Sequence, residues 1–97
     1  MTTVIVHHTV ADFDTWKPVY DSHGGRAANG ATSAAVFAAA DDPNAVTIVV
    51  EFPSVSQAEA FVNDPGLKDA MSKAGVTSAP DIRILDSVEL VAYEGAS

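Results

Sequence analysis

The chain has no cysteine. Disulfides, thiolate nucleophiles and thiolate metal sites are therefore excluded. Cations are scarce: five Lys and Arg stand against thirteen Asp and Glu, for a formal charge of −8. Nucleic acids and anionic membrane surfaces are held by Lys and Arg that replace counterions, so neither is an expected partner. No apolar run approaches the roughly 20 residues of a membrane-spanning helix. No basic stretch followed by an apolar segment comes after Met1, so no signal peptide is expected and the cytoplasm is the expected compartment. Gly24-Gly25 lacks the spacing of a phosphate-binding loop. No Gly-x-Ser-x-Gly element occurs and the serines fall in turns and caps, so no nucleophilic triad can be assembled.

Hydrophobic residues make up 47% of the chain and charged residues 19%, the balance of a globular protein. Its 97 residues predict one domain, 1–97, with one modest core. A chain of this size buries roughly two thirds of the surface its unfolded form exposes. Any internal pocket must then be small or shared with a partner.

Thr3 to Val10 is β-branched and apolar and reads as the first strand. Asp12 or Asp14 can cap the helix behind it. Pro18 predicts an irregular first turn over Asp12 to Lys17, with the helix proper from about Pro18. That helix should bend at Gly24-Gly25 and end at Asn29-Gly30. Ala31 to Ala40 and Ala45 to Phe52 read as two strands joined by a turn at Asp41-Asp42-Pro43-Asn44. Ser54 or Ser56 caps a helix whose stripe is Ala58, Phe61 and Val62. Asn63-Asp64-Pro65 interrupts it, and Leu67, Ala70, Met71 and Ala74 carry a second stripe until Gly75. Asp81 to Ala92 is the expected last strand, and Glu94 to Ser97 a tail.

The order βαββαβ is the ferredoxin-like layout: an α+β fold with a four-stranded antiparallel sheet and both helices on one face. Alternation sorts the strands. Val4, Val6, His8 and Val10 share a face with Val46, Ile48, Val50 and Phe52, which is apolar enough to meet the helices. Ile5, His7 and Thr9 share the other with Thr47, Val49 and Glu51. An apolar patch on that mixed face predicts a second layer, most simply another copy of the chain in two-fold symmetry.

All three histidines and the only Trp fall in the first quarter of the chain. His8 is the sharpest candidate. A neutral imidazole on the helix-facing side can take a proton from a phenol or an anthrone. The plainer reading is a core histidine with one hydrogen-bond partner. Trp16 and Tyr20, four residues apart, lie on one side of a continuous helix. They can stack on a flat substrate or simply anchor the helix to the sheet. Phe61 and Met71 read as core that can also wall a pocket, and Phe37 joins them as a candidate. His23 lines a cavity mouth or is an ordinary exposed histidine. Arg83 is placed to pair with Glu51 or Glu89 across strands. His7 and His8 diverge on a strand and no third ligand sits at a recognisable spacing, so no metal site is expected.

The opening Val-His-His-Thr-Val-Ala-Asp-Phe-Asp-Thr-Trp-Lys-Pro-Val-Tyr-Asp, the hairpin Asp-Asp-Pro-Asn and the later Glu51-Phe52-Pro53 with Ala60-Phe61 resemble the dimeric α/β-barrel superfamily. Within it, the chain is similar to the small antibiotic biosynthesis monooxygenase-like proteins. The resemblance implies a homodimer through the sheet faces and a small aromatic or polyketide-like ligand between sheet and helices. It also implies cofactor-independent chemistry but assigns no residue a role; the N-terminal cluster makes His8, helped by Tyr20 or His23, the group expected to remove a proton, after which the carbanion reacts with O2, rearranges or cyclises. A polyketide cyclase or isomerase is the alternative enzyme. A non-catalytic dimeric ligand-binding or interaction module is the alternative from another class, favoured by a fully packed interior. Haem binding is a third reading and needs an exposed axial histidine over an apolar pocket.

Overall fold

In a computed structural model describing residues 1–94, the sheet has the order β2-β3-β1-β4, with every neighbouring pair antiparallel. The chain runs β1 (Thr2–Thr9), α1 (Phe13–Ser22), α2 (Gly25–Ala28), β2 (Ser33–Ala39), β3 (Asp42–Phe52), α3 (Val55–Val62), α4 (Pro65–Lys73), β4 (Asp81–Asp86). This is the expected α+β, ferredoxin-like fold, with each helical segment in two pieces. Of the expected tail, residues 95–97 lie outside the described part.

The alternation holds. Val4, Val6, His8, Val46, Ile48, Val50 and Phe52 are buried beneath the helices. Phe52 packs on Phe61, their ring centroids 5.4 Å apart. The opposite face carries Ile5 beside Val49, and His7 beside Thr47, whose Oγ1 lies 3.0 Å from His7 Nδ1.

The first helix departs from expectation. It is regular from Phe13, because the Asp12 carboxylate accepts the Thr15 N–H at 3.1 Å. The Phe13 N–H is satisfied by Asn44 Oδ1 at 2.9 Å. Pro18 sits inside the helix. Its missing N–H costs one intrahelical bond, which burial of Trp16 and Tyr20 on the same helix offsets. The helix then stops at Ser22, earlier than Asn29, and α2 starts afresh after Gly24. Two adjacent glycines make that break inexpensive.

The hairpin turn is also displaced. Ala39 pairs with Asp42, so the tip is Ala40-Asp41 rather than Asp41 to Asn44. The register shifts between Ala38 and Ala39 on the partner strand, which leaves Pro43 to Ala45 as a bulge in β3. Asp42 Oδ1 accepts the Asn44 N–H there, and a proline without an N–H is at home in a bulge. The bulge has a job in the fold. The Asn44 carbonyl accepts the Val10 N–H while its side chain caps Phe13, fixing the corner from which α1 departs.

β4 ends at Asp86, not Ala92. The reason is register: Asp86 pairs with Thr2, and Ser87 N–H reaches the Met1 carbonyl at 3.0 Å. Beyond that β1 offers no further partner. Val88 and Leu90 consequently stand 96% and 93% exposed. Arg83 meets Asp81 at 3.5 Å rather than Glu51 or Glu89. Glu51 instead accepts Thr3 Oγ1 at 2.8 Å.

Candidate functional site

A cavity of about 40 Å³ lies between the helix-facing side of β1 and β3 and the helices α1, α2 and α4. Its floor is Val6, His8, Ile48 and Val50, and its roof includes Trp16, Tyr20, Leu67 and Met71. Its volume is room for a few water molecules. Val19, His23, Arg26, Ala70 and Met71 are only half-buried and form its rim.

His8 is 2% exposed. Its Nδ1 is buried without a hydrogen-bond partner in the protein. Buried polar atoms are normally paired, because an orphan costs about 1–3 kcal/mol. A buried, unpartnered imidazole nitrogen on a residue that lines an apolar cavity is therefore a feature to be explained. Burial holds the His8 imidazole below its ordinary pKa of 6.5; the neighbouring His7 adds to this, and the dipole of its own backbone opposes it. His8 is thus neutral at pH 7.

From His8 an aromatic relay runs to the rim. The imidazole meets Trp16 edge-on, with centroids 5.8 Å apart and planes at 68°. Trp16 stacks on Tyr20 at 4.9 Å and 7°. The Arg26 guanidinium carbon lies 3.8 Å from the centroid of the Tyr20 ring, and Arg26 Nη2 donates to the Tyr20 carbonyl at 2.8 Å. A stacked pair and a cation over a ring hold flat surfaces parallel, the geometry that also receives a flat ligand. The break at Gly24 matters here, since it turns the chain so that Arg26 returns over α1. His23 folds back onto Gly25, where a Cβ would come within 2.5 Å of His23 Nε2. That Nε2 is the other buried nitrogen without a protein partner.

The structure brings together His8, Trp16, Tyr20, His23, Phe61 and Met71. It does not bring Phe37, which pairs with Thr47 on the opposite face and is 57% exposed. The sequence concealed its face, since Val36 and Phe37 are adjacent apolar residues set among alanines and give no alternation to read. Arg26 was missed as a site residue. Its only sequence signal is a basic residue directly after the helix-breaking glycines. No cluster of three or more metal-ligating side chains occurs among the described residues. No helix of the described residues is long and apolar enough to cross a membrane.

The lowered His8 pKa has a stability consequence. The unfolded chain binds a proton at His8 near pH 6.5, while the folded chain resists it. Stability is therefore full above pH 6.5 and falls as pH drops from there through the folded-state value. Urea midpoints should decline between pH 7 and pH 5 in the wild type, and His8→Leu should flatten that decline. An equal slope in both proteins would show that other groups govern it.

No curated protein matches the chain by sequence. Solved structures share its fold. A cofactor-independent oxygenase from Streptomyces nogalater, SnoaB, is 13% identical with a TM-score of 0.73, over 95% of this chain and 97% of that one. The ActVA-Orf6 monooxygenase of Streptomyces coelicolor, solved with the ligand nanaomycin D, is 18% identical with a TM-score of 0.71, over 96% and 92%. An antibiotic biosynthesis monooxygenase is 15% identical with a TM-score of 0.71, over 92% and 100%. The resemblance seen in the sequence thus holds at the level of fold. A family model matches residues 4–88, nearly the whole chain, and by it the protein belongs to the family described as a domain of unknown function, DUF1330.

Proposed function

We propose that the chain binds a small, mostly apolar aromatic molecule in the cavity between sheet and helices, and that His8 is the base of a cofactor-independent oxygenation there. The observation that carries this reading is the His8 imidazole, buried in the cavity lining and held below its ordinary pKa by that burial. A neutral imidazole there can take a proton from an acidic C–H of an anthrone or the O–H of a phenol. For an activated CH2 the balance is simple. The proton goes to His8, the carbanion gives electrons to O2, the new C–O bond forms as a hydroperoxide, and loss of water leaves C=O. One O2 and one CH2 become one C=O and one H2O. Tyr20 and His23 are positioned on the same cavity to assist proton movement, while Trp16, Phe61 and Met71 wall the ring. The fold shared with SnoaB, a cofactor-independent oxygenase, and with ActVA-Orf6, solved with nanaomycin D, supports a small-molecule ligand.

The working unit of this proposal is a cytoplasmic single domain, paired with a second copy through the sheet face. Ile5, Val49, Phe37 and Leu85 leave that face partly apolar, in support of a covering layer. A non-catalytic ligand-binding module is the second reading, and the cavity's small volume of about 40 Å³ favours it. An aromatic ligand requires the rim to move outward, and the half-buried His23 is the side chain placed to do so.

Trp16 is the only tryptophan, so its emission reads this cavity alone. Neutral 1,8-dihydroxyanthraquinone should quench it saturably, with a Kd below about 100 μM, or roughly 5.5 kcal/mol of binding. Quenching that is linear and no stronger than for free N-acetyl-tryptophanamide would remove the ligand site.

A further inference from the structure

The cavity has a neighbour. A broader hollow of about 380 Å³ lies beside it, against the end of α1, α2 and the start of β2. His23 and Arg26 line both spaces, so these two side chains form the wall between them. The charge of that wall is unbalanced. Asp21 is the one acid lining the hollow, and it is occupied by Lys17 at 2.7 Å. No carboxylate lies within ion-pair distance of Arg26 among the described residues. One guanidinium nitrogen donates to the Tyr20 carbonyl, and the planar group rests on the Tyr20 ring. Most of its five N–H donors have no protein acceptor. In a chain with thirteen acids and five bases, a half-buried arginine left without an acid is conspicuous. Its stacking fixes the fork in place, which is how arginine is presented to a carboxylate.

We infer that Arg26 binds the carboxylate of an aromatic acid, so that this site favours an anionic arene over its neutral counterpart. The inference rests on the cavity being the ligand site and adds the class of molecule it takes. The carboxylate lies in the hollow on the Arg26 fork. The half-buried His23 swings aside, and its Nε2, once off Gly25, gives a second hydrogen bond to the same carboxylate. The ring extends past the displaced His23 under Trp16 and Tyr20, toward His8. Displacing His23 merges the two spaces, which resolves the mismatch between the 40 Å³ cavity and the size of an aromatic ring.

Calorimetric titration with 2-naphthoate and with 2-naphthamide tests this. The two probes share ring and shape and differ by one charge. The wild type should bind the naphthoate at least tenfold more tightly. Arg26→Met keeps an apolar chain on the Tyr20 ring and removes the charge. In that variant the preference for the naphthoate over the naphthamide should fall below about twofold. Arg26→Lys, which keeps a charge without the fork, should hold an intermediate preference and serves as the check if the methionine variant does not fold. Equal affinities in the wild type, or a preference that survives in Arg26→Met, would overturn the assignment of Arg26. Failure of both probes to bind the wild type is a separate outcome: it overturns the cavity as a ligand site, and this inference with it.

Discussion

Replacing His8 by Leu should lower turnover of an oxidisable hydroxyanthrone by a factor of about 10²–10⁴, the usual contribution of a positioned general base, while the protein stays folded. Oxygen uptake with 1,8-dihydroxyanthrone is the measurement. The structural side of the expectation is as specific as the catalytic one. His8 is packed against Trp16 and is among the largest fully buried side chains. Its Nδ1 has no partner to lose. Removing a buried polar atom that is already unpaired relieves a cost of about 1–3 kcal/mol, and leucine refills much of the volume. A variant equal to or more stable than the wild type, and inactive, is therefore expected. A histidine kept only for packing behaves differently: its replacement changes stability and leaves uptake alone. No uptake by the wild type above the uncatalysed rate would move the weight to the non-catalytic binding module.

Val49→Asp should convert a dimer to a monomer. Val49 stands at the centre of the open sheet face, across from Ile5 on one side and Ala35 on the other. Phe37, 57% exposed, and Leu85, 44% exposed, lie on the same face. A two-fold pairing through this face sets the patch of one copy on that of the other, so each substitution is felt twice. An aspartate buried there without a partner costs several kcal/mol, which at 1.4 kcal/mol per decade is at least a hundredfold in the dissociation constant. Sedimentation velocity at tens of micromolar should give twice the chain mass of 10.0 kDa for the wild type and the single mass for the variant. A wild type that sediments as a monomer would refute the pairing. So would a variant that sediments as a dimer.

The parts of the fold legible in sequence are those set by period and by strong punctuation. β1 and β3 alternate cleanly, and the faces assigned to Val4 through Val10 and Val46 through Phe52 are the faces observed. Pro65 with Asn63-Asp64 marked the gap between α3 and α4. What escaped depended on partners distant in sequence. Asn44 reaches from the hairpin to cap Phe13, so the first helix starts before Pro18, where local rules alone place an irregular turn. β4 stops where β1 runs out at Met1, although Val88, Leu90 and Ala92 continue a strand-like pattern. The site followed the same division. His8, Trp16 and Tyr20 were visible from strand and helix periodicity. Arg26 was not, because its return over Tyr20 is made by the chain reversal at Gly24 and has no periodicity of its own.

The decisive measurement is the imidazole nitrogen spectrum of ¹⁵N-histidine-labelled protein, followed with pH and with 2-naphthoate. A His8 that stays neutral through pH 6.5, titrates below it, and shifts at a ring nitrogen when the ligand binds is the predicted result. A His8 that titrates at or above pH 6.5, with both ring nitrogens unmoved by a ligand that demonstrably binds, would contradict its place as the base of this site.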